Sequence, residues 1–283
     1  AIDATSLKRP ELMSRLNPRE ALEVSPFDTG VFSWKMRTRA IQENHWLQID
    51  DGREEDLLEK KKGPVGIHLP GSETASLTLL KTIEYWLIER SISLPVIDDS
   101  LHPIDQCGRL IQEDVCLMER ISDSWLLTAG SVCFPTHWDP TSKLGLSLDD
   151  IHSPVPRYDA DLLPRPSNFM DRISDEMLVA RTGWSLTACG ELPLDRDHKI
   201  VQSDPSKLIV RVERQTLRKV PNSKAIAFTI RIHRWPLEII KNDFSLAKDL
   251  VGALQALPEE VKGYKTETSE LSQRVQKYLT NTK

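Results

Sequence analysis

Apolar and polar positions alternate with period two most strongly between residues 207 and 235. In KLIVRVERQTLRKV (207–220), Arg211, Glu213, Gln215 and Leu217 fall on one side of an extended chain. In KAIAFTIRIHRW (224–235), Ile226, Phe228, Ile230 and Ile232 share one side, and Thr229, Arg231 and His233 the other. Pro221, Asn222 and Ser223 separate the two segments, which together predict a β-hairpin. DVCLMERI (114–121) and SWLLTAGSVCF (124–134) read as two buried strands joined by a turn at Ser122–Ser124 and closed by Pro135. A further short strand is expected near Trp184–Leu186.

Helical spacing dominates elsewhere. Leu77, Leu80, Ile83, Tyr85, Trp86, Leu87 and Ile88 predict a helix over 73–90, with Ser72 as its cap. Residues 41–62 have helical character, ended by the Gly and Pro of KKKGP. Shorter helices are expected at Glu11–Leu16 and Asn168–Ile173, and two more after Asp243, broken at Pro258 and Gly263. The order is helices, then antiparallel strands, then helices, which is an α+β fold. Residues 1–26 read as an N-terminal extension, 27–240 as the main domain and 241–283 as a helical tail.

Residues 135–168 break this regularity. They contain Pro135, Pro140, Pro154, Pro156, Pro164 and Pro166. A long irregular stretch inside a compact domain is uncommon and usually functional.

Composition narrows the function classes. The 283 residues carry a formal net charge of -5 and show no basic stripe, which argues against nucleic acid as a partner. No apolar run is long enough to cross a bilayer, and the first residues hold no signal-peptide core, so a cytoplasmic protein is expected. Cys107, Cys116, Cys133 and Cys189 form no C-x-x-C pair and read as reduced, buried thiols. The seven tryptophans read mostly as core anchors. No G-x-G-x-x-G, Walker loop, G-x-S-x-G or H-E-x-x-H occurs, so electrons for any redox step are expected from a partner.

Three constellations carry candidate chemistry. In DDIHSPVP (149–156), His152 lies beside two prolines whose stiff backbone would hold an imidazole ready for a metal or haem iron. A second possibility is a non-haem iron triad of His137, Asp139 and His198, with Arg211 gripping a cosubstrate. The third is RVERQ (211–215), where Glu213 suits a protonated amine and Arg211, Arg214 or, register permitting, Arg231 suits an anion such as a propionate.

The series QEDVCLM (112–118), SVCFPTHW (131–138), KLGLSLDDIHSPVP (143–156), ARTGWSL (180–186), RVERQTLRKVP (211–221) and AIAFTIRI (225–232) resembles the α subunit of the haem-dependent oxidative N-demethylase family. NHWLQIDDGREEDLLEKKK (44–62) is similar to that family's N-terminal segment, so the likeness runs from about residue 27 to about 240. The resemblance implies a haem b in a PAS-like antiparallel sheet with flanking helices. It implies O2-dependent, monooxygenase-type demethylation of a small secondary amine such as dimethylamine, releasing formaldehyde. NADPH, flavin and a [2Fe–2S] cluster would serve on a partner reductase subunit, and tetrahydrofolate on a folate-binding partner subunit. His152 becomes the proximal iron ligand and Glu213 the carboxylate beside the substrate ammonium. Arg231 is a further catalytic candidate, and Arg211 and Arg214 are expected to contact the cofactor. Trp138 and Lys143 fall in the family's W…K-x-G run and would brace the loop carrying His152. The family has asparagine where this chain has Gly183, and no histidine at the place of His137. A haem-binding PAS-like sensor of gas or redox state, without turnover, is the alternative from a different class.

Overall fold

The computed structural model describes residues 13–162, 165–194, 204–266 and 269–281. Seven strands pair into one sheet: β1 Arg39–Ala40, β2 Ile67–His68, β3 Asp114–Ile121, β4 Ser124–Ser131, β5 Leu178–Thr187, β6 Ile209–Lys219 and β7 Ala225–Pro236. Their spatial order is β1-β5-β6-β7-β3-β4-β2, and every neighbouring pair is antiparallel. The hairpin of β6 and β7 lies at the centre, as its alternation requires. The strand expected near Trp184–Leu186 is longer, because its ten residues pair along nearly the whole of β6.

Pairing parity divides the sheet into two faces. Arg211 lies opposite Arg234, Glu213 opposite Ile232, and Arg214 opposite Arg231. Odd-numbered residues of β5 and β6 therefore share a face with even-numbered residues of β7 and β3. We call this the odd face and the other the even face.

The helices are α1 Pro18–Ala21, α2 Arg53–Lys62, α3 Glu73–Glu89, α4 Pro103–Leu110, α5 Leu148–His152, α6 Tyr158–Asp161, α7 Arg165–Met170, α8 Leu237–Lys241, α9 Phe244–Ala256, α10 Glu259–Thr266 and α11 Ser269–Thr280. On the even face, Leu79, Ile83 and Leu87 of α3 bury against Val115, Leu117 and Ala227. Leu250 and Leu254 of α9, with Val261 of α10 and Val275 of α11, bury against Trp184, Val210, Val212 and Trp235. The odd face is covered instead by the irregular segment after β4. Leu148, Ile151, Met170 and Ile173 pack there on Met118, Leu127, Val179 and Ile226. Among the described residues no helix is long and apolar enough to cross a membrane, and all four cysteines are buried free thiols.

Local chemistry explains where elements depart from the hydropathy pattern. The helical region expected over 41–62 is divided into a 3-10 turn at Glu43–His45 and α2, because Asp50 accepts from Gly52 N at 2.9 Å and bends the chain between them. Ser72 does not cap α3; its hydroxyl donates backwards to Leu69 O at 2.8 Å. α4 begins at Pro103, a residue that breaks helices from within but is favoured at a helix N-terminus. Near the N-terminus Asn17 and Glu20 form a capping box for α1, while residues 13–16 of the expected Glu11–Leu16 helix are not helical. α10 continues through Gly263, because its neighbours Val261, Lys265 and Thr266 are buried and hold the turn.

One buried ion pair fastens α2 to the sheet. Lys60 Nζ lies 3.5 Å from Asp114 Oδ1, with both side chains shielded from water. Asp114 also accepts from Cys133 N at 3.0 Å and Phe134 N at 2.8 Å, so it anchors the start of the irregular segment. Lys60→Met leaves that carboxylate buried without a counter-charge. The variant is expected to lose about 3–5 kcal/mol of stability, read as a lower urea midpoint.

Candidate functional site

An antiparallel sheet can leave part of one face uncovered, and here the middle of the odd face is partly open. Arg181 and Gly183 of β5, Glu213 and Gln215 of β6, and Phe228 of β7 are only partly buried. Val179, Leu217, Ile226 and Ile230 around them are fully buried. In the register Gly183 faces Glu213 and Arg181 faces Gln215. A Cβ added to Gly183 would meet nothing within 4 Å. These positions form the floor of a site.

The segment above that floor carries His152. Ser147 caps α5 by accepting from Asp150 N at 3.1 Å, and the buried Lys143 donates to Ile151 O at 3.1 Å at the other end. His152 is the last residue of this five-residue helix, and its Nδ1 lies 2.8 Å from Leu148 O. A carbonyl oxygen only accepts, so Nδ1 carries the proton and Nε2 keeps its lone pair. The ring stacks on Tyr158 at 5.2 Å, and Tyr158 donates to Asp149 at 3.0 Å. Desolvation lowers the His152 pKa below the ordinary histidine value, and the charges of Arg181 and Lys143 add to it. The imidazole is thus held neutral in the form that ligates a metal. Trp138 packs on the same cluster, so it and Lys143 do brace this segment.

Glu213 is held from two sides. Its Oε1 accepts from Thr136 Oγ1 at 2.7 Å and its Oε2 from Gln215 Nε2 at 2.8 Å. Thr136 in turn accepts from Arg211 Nε at 2.9 Å. A carboxylate oxygen accepts more than one hydrogen bond, so both oxygens retain capacity for a cation.

The arginines separate by parity. Arg211 shares the odd face with Glu213, but its guanidinium donates to Phe134 O, Glu191 O and Leu192 O besides Thr136. It is a strut that ties two loops to β6, and burial pushes its pKa down to about 10. Arg214 and Arg231 lie on the even face, opposite to the side expected from a shared polar surface with Glu213. Arg214 pairs with Glu23 and donates to Trp46 O and His45 O. Arg231 pairs with Asp50 at 2.9 Å and Asp56 at 3.0 Å. The one-residue offset of the alternation places both on the face opposite Glu213, each among protein partners of its own.

For the non-haem triad, His198 lies outside the described residues. Asp139 accepts from Thr141 N and Oγ1 in a tight turn, and His137 N donates to Leu194 O at 2.8 Å. Among the described residues one group of three metal-capable side chains converges, His68, Glu73 and His102. The two imidazoles stack face to face at 3.8 Å with planes 5° apart. One ion cannot lie in both ring planes of such a stack, so this arrangement does not suit ligation.

Residues 74–275, more than half of the chain, match the family described as haem-dependent oxidative N-demethylase, alpha subunit-like. The chain belongs to that family. A haem asks for a neutral axial nitrogen, apolar surface for its rings and a cation for its carboxylates. The odd face offers His152, Phe228 and Ile230, and a buried guanidinium nitrogen, Arg181 Nε, that has no partner among the described residues. The residues present therefore fit the group that gives the N-demethylase family its name.

Residues missed in the sequence complete the surroundings. Lys265 of α10 is buried, donates to Trp184 O at 2.7 Å, and sits among the rings of Trp34 (4.9 Å), Trp184 (5.3 Å) and Tyr264 (5.9 Å). Glu213 and Arg181 both influence its charge. Nothing local in EEVKGYKT marks this lysine; only the packing of α10 on β5 brings it there. Arg181 did carry a signal, since it shares parity with Gly183 in ARTGWSL.

Desolvation brings the Lys265 pKa down to about 8. Between that value and the ordinary lysine value near 10.4, the unfolded chain binds a proton that the folded chain has released. Stability therefore rises with pH across this window through Lys265. The stability of the wild type relative to Lys265→Met is expected to increase from pH 8 to pH 10, measured by denaturant unfolding.

Proposed function

We propose that the chain holds a haem b on the odd face through His152 Nε2 and demethylates a small secondary methylamine whose ammonium meets Glu213. The observation that carries this reading is the fixed tautomer of His152, packed in the same layer that leaves Glu213 accessible. Bound there, the haem supplies oxygen activation and the oxidising power for the N-methyl group. Leu148 O keeps the proton on Nδ1, so the ligand nitrogen needs no rearrangement on binding iron. Glu213 compensates the charge of the ammonium, which would otherwise be costly to desolvate. Thr136 and Gln215 set the direction of that carboxylate.

Demethylation of this kind consumes O2, two electrons and two protons, and yields the shortened amine, formaldehyde and water. The electrons would arrive from NADPH through a partner with flavin and a [2Fe–2S] cluster, and a folate-binding partner would accept the formaldehyde. The fold would then be PAS-like and the enzyme cytoplasmic.

Two variants test the assignment. His152→Ala is expected to abolish the Soret band of the purified protein while leaving the fold intact by circular dichroism. Glu213→Gln is expected to retain haem but bind dimethylamine roughly 10- to 150-fold more weakly, the loss of one charge-assisted hydrogen bond. A colourless wild type that retains iron would sink the haem reading.

A further inference from the structure

Among the described residues, Arg181 is the charged residue of the site whose position its protein neighbours do not account for. It lies on β5 opposite Gln215 and diagonal to Glu213. The other arginines of these central strands have partners: Arg211 a hydroxyl and three backbone carbonyls, Arg214 Glu23, Arg218 Glu43, Arg231 Asp50 and Asp56, and Arg234 the carbonyl of Gly190. No hydrogen bond or ion pair engages the Arg181 guanidinium among the described residues, and its Nε is shielded from water. Glu213 acts on it electrostatically but is held at the distance set by Thr136 and Gln215. Beside it, the space in front of Gly183 is open.

A guanidinium nitrogen withdrawn from water without an acceptor, as Arg181 Nε is, is costly, and the planar fork of the group matches a carboxylate in bidentate fashion. We propose that Arg181 binds a carboxylate of the ligand that fills the space in front of Gly183. This rests on the reading that haem and amine occupy the odd face. Two ligands carry the required group. One is the haem itself, through a propionate. The other is an N-methylated amino acid, whose ammonium meets Glu213 while its carboxylate meets Arg181. Opposite charges set side by side yet unpaired with each other are what a zwitterion needs. The uncharged tail of a simple dialkylamine would leave the guanidinium unmatched.

The test uses the full chain as wild type, Arg181→Met and Arg181→Lys. Because no described residue pairs with the Arg181 guanidinium, the haem-free Met variant is expected to unfold at or above the wild-type temperature. Haem loss to excess apomyoglobin is then followed, and the Soret shift is titrated with dimethylamine and with N-methylglycine. At least tenfold faster haem loss in Arg181→Met, partly recovered in Arg181→Lys, assigns the carboxylate to a propionate. Unchanged haem loss, with N-methylglycine bound at least tenfold more weakly and dimethylamine unaffected, assigns it to the substrate. Haem loss and both titrations unchanged in Arg181→Met overturn the proposal. A haem-free Met variant that unfolds several degrees below wild type also overturns it, since the protein itself would then be the partner. A wild type without a Soret band overturns the underlying haem reading, whereas normal haem binding with an indifferent Arg181 overturns the carboxylate assignment alone.

Discussion

The structure depends first on the register of β6 against β5 and β7. A strand places successive side chains on opposite faces, so a slip of one residue would exchange Glu213 for Arg214 on the odd face. Charges fix that register. Arg214 and Arg231 are directly opposite each other, a pairing of like charges that is unfavourable on its own. Glu23, Asp50 and Asp56 make it tolerable. Around them Gln112 donates to Asp50 and Asp56, and His233 meets Gln48 at 2.8 Å. Desolvation, reinforced by the neighbouring arginines, drives the His233 pKa well below the ordinary value, so it stays neutral inside this network. None of these groups finds its partner if the strand shifts by one position.

With register set, the segment that carries His152 is tied down at its base. Asp114 receives Cys133 N and Phe134 N, and Arg211 holds Phe134 O and Thr136 Oγ1. The same threonine then orients Glu213. One guanidinium therefore supports both the start of the histidine segment and the carboxylate, so the two sides of the site share a foundation. Such support from outside the reacting groups is what preorganises a site built partly on a loop.

Local sequence carried much of this. The alternation in 207–235 marked the central hairpin, and the prolines of 135–168 marked the segment in which His152 stands. Parity along β6 put Arg211 with Glu213 correctly. What could not be read was the register of β7 against β6, because alternation fixes the faces within a strand and not which face meets which. Arg231 was therefore expected beside Glu213 and lies across the sheet from it. Lys265 was illegible for a related reason, since its role comes from a helix packing on a strand some eighty residues earlier in the chain. The separation of α2 from the preceding turn rests on side-chain hydrogen bonds to the backbone, from Gln48 N to Glu113, Asp50 N to Gln112 and Gly52 N to Asp50, which hydropathy does not register.

Gly183 has a different kind of consequence. A new side chain there would enter free space and displace neither backbone nor neighbour. It would stand directly across from Glu213 in the register. The glycine of this chain thus occupies a position where chemistry can be exchanged without disturbing the sheet. Selection could reshape the ligand accepted on this face one residue at a time, while the supports of His152 and Glu213 stay as they are.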